Sequence, residues 1–411
     1  QTEQPRQPPS INGPAWFEKT MEEYLVRWRA YEPFPFDQPS DTHNYLSLHQ
    51  NDYLRLSSHP EVIAAKNSAN ERSGGGPMAS ILYGGDTGEH QQFRDALKRC
   101  MNVGDIMLTT AGWTANVGLI ESVAGPNTPV YLDYQAHASL WDGAKLSGAK
   151  IIPVRHNSPE YMERRIQRYG KGIVCIDAYY STDGSVPDLK RYVEICEAHD
   201  CMLVLDEAHS FGMCGRDGGG LAVELGLETR IPIRTVSMSK ALGGNGGFIA
   251  ASEEVVWFLK HRARSVIFSS SPSPAQSAGS YAALQVALRE PQRAKTCLEM
   301  GALLRQYLVE RGIDPGTSAS QIISLYFDAD PLAAKFYGLM RDRGILVSVF
   351  AAPAVPRDTS LARFSIHSDT TPADMRKVAD ASAECIEKLG VRVVPPYSLL
   401  TEPLTQRAPT P

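Results

Sequence analysis

The chain has 411 residues, 43% of them hydrophobic and 21% charged, which is enough apolar material for large buried cores and more than one domain. Its 41 basic and 46 acidic residues leave a formal net charge of −5, so no basic field argues for nucleic acid or an anionic membrane surface, and no apolar run reaches the length of a membrane span. Seven cysteines without close metal-type pairs read as buried thiols of a reducing compartment, and residues 1–15 hold no apolar leader, so a cytoplasmic protein is expected. Gln1 is not an initiating residue, and the native N-terminus is expected to be missing or processed.

In chain order, residues 1–14 and roughly 394–411 are polar and proline-rich and are expected to be poorly ordered arms. Residues 16–30 have helical spacing, ended by Pro33 and Pro35. From about residue 90 to 250, helices alternate with strands. The predicted pairs are 90–101 with 105–108, 114–123 with 130–132, 140–147 with 151–154, 159–169 with 173–176, and 189–198 with 202–205. Such repetition predicts an α/β domain whose parallel sheet is covered by helices on both faces. A helix at 275–288 then leads to a second, α+β unit with strands 322–327, 346–350 and 362–366 and a last helix at 373–389. The predicted division is 1–54 as an arm and helix joining the small domain, 55–285 as the large domain, 286–393 as the small domain and 394–411 as a tail.

Three predicted strand ends carry chemistry. Lys240 closes Thr235-Val236-Ser237-Met238-Ser239-Lys240 and precedes the glycine-rich run Gly243-Gly244-Asn245-Gly246-Gly247. A lysine there suits covalent capture of an aldehyde such as that of pyridoxal phosphate (PLP), provided burial or a nearby cation lowers its pKa; the alternative is a solvated loop lysine. Asp206 ends the apolar strand Cys201–Leu205, where a carboxylate can pair with a protonated pyridine nitrogen, or else merely cap a helix. His137 stands where the strand around Val130–Leu132 gives way to a helix, placed to stack on a flat ring or simply to begin the helix. Together, in the order His, Asp, Lys, they favour the cofactor reading.

With these residues the chain resembles the α-oxoamine synthases among the fold-type I PLP enzymes. Further matching motifs are Gln50-Asn51-Asp52-Tyr53-Leu54, the Gly-Gly-Asp-Thr-Gly-Glu-His run ending at His90, Ala111-Gly112-Trp113-Thr114-Ala115-Asn116, Asp206-Glu207-Ala208-His209 and Phe268-Ser269-Ser270-Ser271-Pro272. The segments 112–119, 136–141, 320–323 and 344–350 look closer to the branch that makes α-hydroxyketone quorum-sensing autoinducers. The resemblance implies a large domain with a mainly parallel, seven-stranded sheet plus a smaller α+β domain, PLP as cofactor, no metal, and a homodimer with active sites at its interface. It implies an amino acid and an acyl-CoA as substrates, joined in a decarboxylating Claisen condensation.

Roles follow by the same resemblance. Gly112 and Trp113 open a helix suited to the cofactor phosphate, Ser237 adds a hydroxyl, and Ser270 reaches the phosphate of the neighbouring subunit. Ser181 lies near the phenolic oxygen of the cofactor, and His209 donates to that oxygen or to the developing oxyanion. Arg363 binds the substrate carboxylate and Asn51 contacts substrate near the entrance. Leu361-Ala362 stands where the family often has a second basic residue, which leaves the amino acid preference open. Trp113, Trp141 and the apolar loop 350–356 are expected either to line an alkyl channel or to pack in the core.

Overall fold

The computed structural model describes residues 13–29, 42–351, 355 and 359–393. Most of the predicted arm 1–14, the predicted tail 394–411, the prolines at 33 and 35 and most of the loop 352–358 lie outside the described residues. The chain divides into two compact units, one made of 48–325 and 363–380, the other of 1–47, 326–362 and 381–411.

The first unit is built on a seven-stranded sheet. Across it the order is Asp105–Thr109, Gly247–Ala251, Ile233–Ser237, Met202–Asp206, Ile173–Asp177, Pro129–Asp133 and Lys150–Val154. Five strands pair in parallel, whereas Gly247–Ala251 runs antiparallel to both its neighbours. The reversal has a simple cause. Residues 238–246 form a turn too short for a parallel crossover, which needs a dozen or more residues, so the chain can only double back beside Ile233–Ser237.

Ile173–Asp177 and Gly247–Ala251 are buried along their whole length, as continuous apolar runs in a sheet covered on both faces must be. Leu119 and Ile120 from one helix, Leu140 and Ala144 from a second, and Val256 and Leu259 from a third pack on Leu132, Cys175, Val204 and Ile249. Each such large aliphatic side chain contributes roughly 1.5–3 kcal/mol on burial. Trp141 packs against this core, so for that residue the packing expectation holds. All seven cysteines are free thiols, five of them buried.

The strand ends place the site. Asp133, Asp177, Asp206 and Ser237 are each the last residue of a parallel strand, and Asp177 and Asp206 are register partners. Beyond them lie the loops that carry His137, Ser181, His209 and Lys240, where ligands collect in open α/β sheets. In the other unit, Leu46–Ser47 pairs in parallel with Ile345–Leu346, and Phe327 packs on Phe336 with ring centroids 5.3 Å apart. The predicted strand 346–350 is realised as two short strands, Ile345–Leu346 and Ser348–Phe350. No helix among the described residues is long and apolar enough to cross a membrane.

Candidate active site

Asp206 is 5% exposed, and both of its oxygens are held. Oδ1 accepts from the Ala208 amide at 2.9 Å and Oδ2 from Asn116 Nδ2 at 2.7 Å. Asn116, on the helix Gly112–Val123, also donates to Ser139 Oγ at 2.9 Å, and that hydroxyl is 2.6 Å from His137 Nδ1. A single chain of hydrogen bonds therefore joins Asp206 to His137. The His137 amide donates to Asp177 Oδ1 at 3.2 Å, and its Nδ1 caps the helix Ala138–Leu146. Trp113 meets the imidazole edge to face at 5.9 Å. Burial, with the Lys240 cation, holds the His137 pKa below the usual value against the opposing pull of Asp206.

Lys240 sits in the turn between the two antiparallel strands. Bonds from Met238 N to Gly246 O (3.0 Å), Gly244 N to Met238 O (3.0 Å) and Gly243 N to Lys240 O (2.9 Å) shape the loop. Gly243 has φ +58°, and a Cβ there would come within 2.4 Å of the Ser57 amide nitrogen, so the turn requires glycine. Burial first, then the Arg363 cation, brings the Lys240 amine down to about 8, with Asp206 opposing. About a tenth of the molecules then carry a neutral amine at pH 7, against about three in ten thousand for an ordinary lysine.

His209 and Arg363 face the same space. His209 is neutral, its pKa pushed well down by burial and by the charges of Lys240, Arg363 and His137. Its Nδ1 is 2.6 Å from the Tyr53 hydroxyl, and its backbone carbonyl accepts from Gln321 Nε2 at 2.9 Å. Arg363 is buried and donates to Ser181 O at 2.8 Å and Asn51 Oδ1 at 3.1 Å. Thus Ser181 meets Arg363 through its backbone carbonyl. Lys240, Asp206, His137, His209 and Arg363, spread over more than 220 residues of sequence, act electrostatically on one another.

The helix Gly112–Val123 points an uncapped end toward this region. Its N-cap, Ala111, offers no side-chain acceptor, and the first turn holds no acidic residue. A Cβ on Gly112 would lie 2.6 Å from that of Ser237, and one on Gly247 would lie 2.5 Å from the Gly112 nitrogen. Glycines let these backbones close up and leave free helix N–H groups, a donor set that fits a phosphate. Ser237 Oγ lies 2.9 Å from Ser239 Oγ. Ser270 is exposed and lines a small pocket with Thr110, Thr114, Ser265, Ser269 and Ser271. A lysine with a lowered pKa, a buried carboxylate at a strand end and an anion-ready helix end fit the cofactor expected from the sequence.

Three contributors carried no role in the sequence reading: Tyr53, Asn116 and Gln321. Each sat inside a quoted motif, but the partner it holds lies 156, 90 or 112 residues away, beyond any spacing rule. His90 has a structural part. Its Nδ1 accepts from the Thr87 amide at 3.1 Å, and Nε2 bonds Pro272 O at 2.7 Å, tying the helix Gly88–Met101 to the segment that carries Ser270. Trp113 remains half exposed beside His137.

Known proteins resemble this chain along most of its length. The family described as aminotransferase class I and II matches residues 43–381. A putative 8-amino-7-oxononanoate synthase of Acetivibrio thermocellus is 31% identical over 353 residues, covering 85% of this chain and 91% of that protein. The CAI-1 autoinducer synthase of Vibrio campbellii is 31% identical over 337 residues, 82% and 86%. Serine palmitoyltransferase of Sphingobacterium spiritivorum is 31% identical over 356 residues, 86% and 87%. Among solved structures, serine palmitoyltransferase from S. paucimobilis with PLP and myriocin bound superimposes with a TM-score of 0.84 at 26% identity, over 91% of this chain and 98% of that one.

Proposed function

The chain belongs to the α-oxoamine synthase family within the aminotransferase class I and II proteins, and from that premise we propose that it is a PLP-dependent acyltransferase joining an amino acid to a medium- or long-chain acyl-CoA. The products are an α-aminoketone, carbon dioxide and free CoA, the ketone being a precursor of a signalling molecule. The convergence of Lys240, Asp206, His137, His209 and Arg363 carries this reading.

When bound, PLP supplies an electron sink for the pair left at the substrate α-carbon. Lys240 would hold the cofactor through its amine and would take the substrate α-proton. Asp206, anchored by Asn116 and the Ala208 amide, pairs with the pyridine nitrogen. His137 would stack on the pyridine ring. The free N–H groups at Gly112 and Trp113, with Ser237, hold the phosphate, and Ser270 serves the phosphate of a second copy's site in a homodimer. Arg363, with Asn51, binds the substrate carboxylate through its planar guanidinium. Ser181 would serve the phenolic oxygen. His209 donates to the oxyanion that forms when the thioester is attacked, an electrostatic contribution made in the transition state.

A second reading within the family, an 8-amino-7-oxononanoate synthase, is supported at the same level. Pseudomonas putida has a protein of that name 32% identical over 85% of this chain. A panel of amino acids with acyl-CoA donors, read by thiol release and mass spectrometry of the ketone, tests the proposal. Transfer from decanoyl-type donors supports it, and preference for a dicarboxylic acyl donor selects the second reading. Pyridoxamine phosphate and a keto acid in place of thiol release would instead indicate an aminotransferase.

A further inference from the structure

Tyr53 is fully buried, and its hydroxyl oxygen lies 2.6 Å from His209 Nδ1 and 3.3 Å from Asn51 Oδ1. A phenol has one proton to give, so only one of these neighbours receives it. The 3.3 Å separation from Asn51 Oδ1 exceeds the usual range of an O–H donor to oxygen, about 2.5–3.0 Å, whereas the 2.6 Å contact to His209 Nδ1 is close enough to take the phenol proton. The Asn51 oxygen meanwhile accepts from the Arg363 guanidinium at 3.1 Å. Tyr53 is therefore the donor and His209 Nδ1 the acceptor.

The protonation states agree. Burial pushes the Tyr53 pKa up, so the phenol keeps its proton. His209 stays neutral among the groups that face it, Lys240, Arg363, His137 and Tyr53. A neutral imidazole carries one N–H, and with Nδ1 accepting, that hydrogen is on Nε2. Nε2 has no protein hydrogen-bond partner among the described residues, while Gln321 holds the backbone of the same residue.

We infer that Tyr53 is a positioning residue that locks His209 in the Nε2–H tautomer, so that the imidazole offers a donor, never an acceptor, to the reacting group. The use of that donor rests on the proposed function; the tautomer itself does not. A free imidazole in water divides between its two tautomers, and a site that must donate to a developing oxyanion gains by settling the choice beforehand. Tyr53 acts through His209 and has no claim to touch substrate.

The test uses protein labelled with ¹⁵N-histidine, the His209 signals being assigned by their loss in His209→Gln. The wild type should show a protonated Nε2 and a bare Nδ1 near pH 7.5. Tyr53→Phe keeps the ring and removes the donor. Its spectrum should show both tautomers, and kcat should fall about tenfold while the amino acid KM stays within about twofold, because Arg363 keeps its bonds to Ser181 O and Asn51 Oδ1. A purely structural role would not move the tautomer signals. A protonated Nδ1 in the wild type, or an unchanged Nε2–H signal in the variant, overturns the inference. Should the variant not fold, the wild-type spectrum decides by itself. A protonated Nε2 in a protein that transfers no acyl group would sink the proposed function and uphold the tautomer.

Discussion

Replacing Lys240 with methionine keeps a long apolar side chain and removes the amine, and the apoprotein should become more stable at neutral pH. The amine titrates at about 8 in the fold against an ordinary value near 10.5, so below pH 8 the folded state carries a charge it holds poorly. The difference of about 2.5 units corresponds to about 3 kcal/mol. The sign follows from proton counting. Between pH 8 and 10.5 the unfolded chain keeps the proton that the folded chain has lost, so wild-type stability from this group rises with pH across that window. The advantage of Lys240→Met should be largest below pH 8 and fade toward zero near pH 10.5.

Paired urea titrations of the two apoproteins from pH 7 to 10.5 give the difference directly. A second measurement on the wild type is the rate at which the apoprotein captures PLP. That rate should climb with pH and level off near 8, because only the neutral amine reacts. A stability difference that does not change with pH, or a capture rate still climbing at pH 10, would refute the assignment of a depressed lysine.

Asp206→Asn should still bind PLP but slow exchange of the substrate α-proton by orders of magnitude, measured as deuterium incorporation; near-normal exchange would remove Asp206 from the ring-nitrogen role. Gly243→Ala should cost at least about 1 kcal/mol from the left-handed backbone alone, and more from the close approach to the Ser57 nitrogen, read as a lower urea midpoint and weaker PLP retention. An unchanged midpoint would mean that the turn relaxes freely. Catalytic efficiency should rise by about tenfold for every two carbons from acetyl- to about decanoyl-CoA, since each buried methylene contributes roughly 0.8 kcal/mol. Preference for acetyl-CoA would rule out an alkyl channel.

The α/β pattern was legible because buried parallel strands read as uninterrupted apolar runs such as Ile173–Ile176, and most are followed by a helix of the right period. Lys240, Asp206 and His137 stood out for a related reason, since polar chemistry at the end of an apolar strand is conspicuous in one dimension. The reversed strand Gly247–Ala251 was missed because its glycine-rich approach looks like flexible loop. Its direction is dictated by the short turn before it, and that is a property of three dimensions.

By itself, then, the order of residues determined which polar groups stand at which strand ends, because periodicity and burial are local properties of the chain. Only the tertiary structure decided their states. The lowered pKa of Lys240 needs Arg363 and a low-dielectric surrounding brought from 123 positions away. The anchoring of Asp206 needs Asn116 from the helix Gly112–Val123, and the proton on His209 is placed by Tyr53. Protonation and hydrogen-bond direction depend on distances of a few ångströms between groups remote in sequence, and spacing along the chain does not encode them.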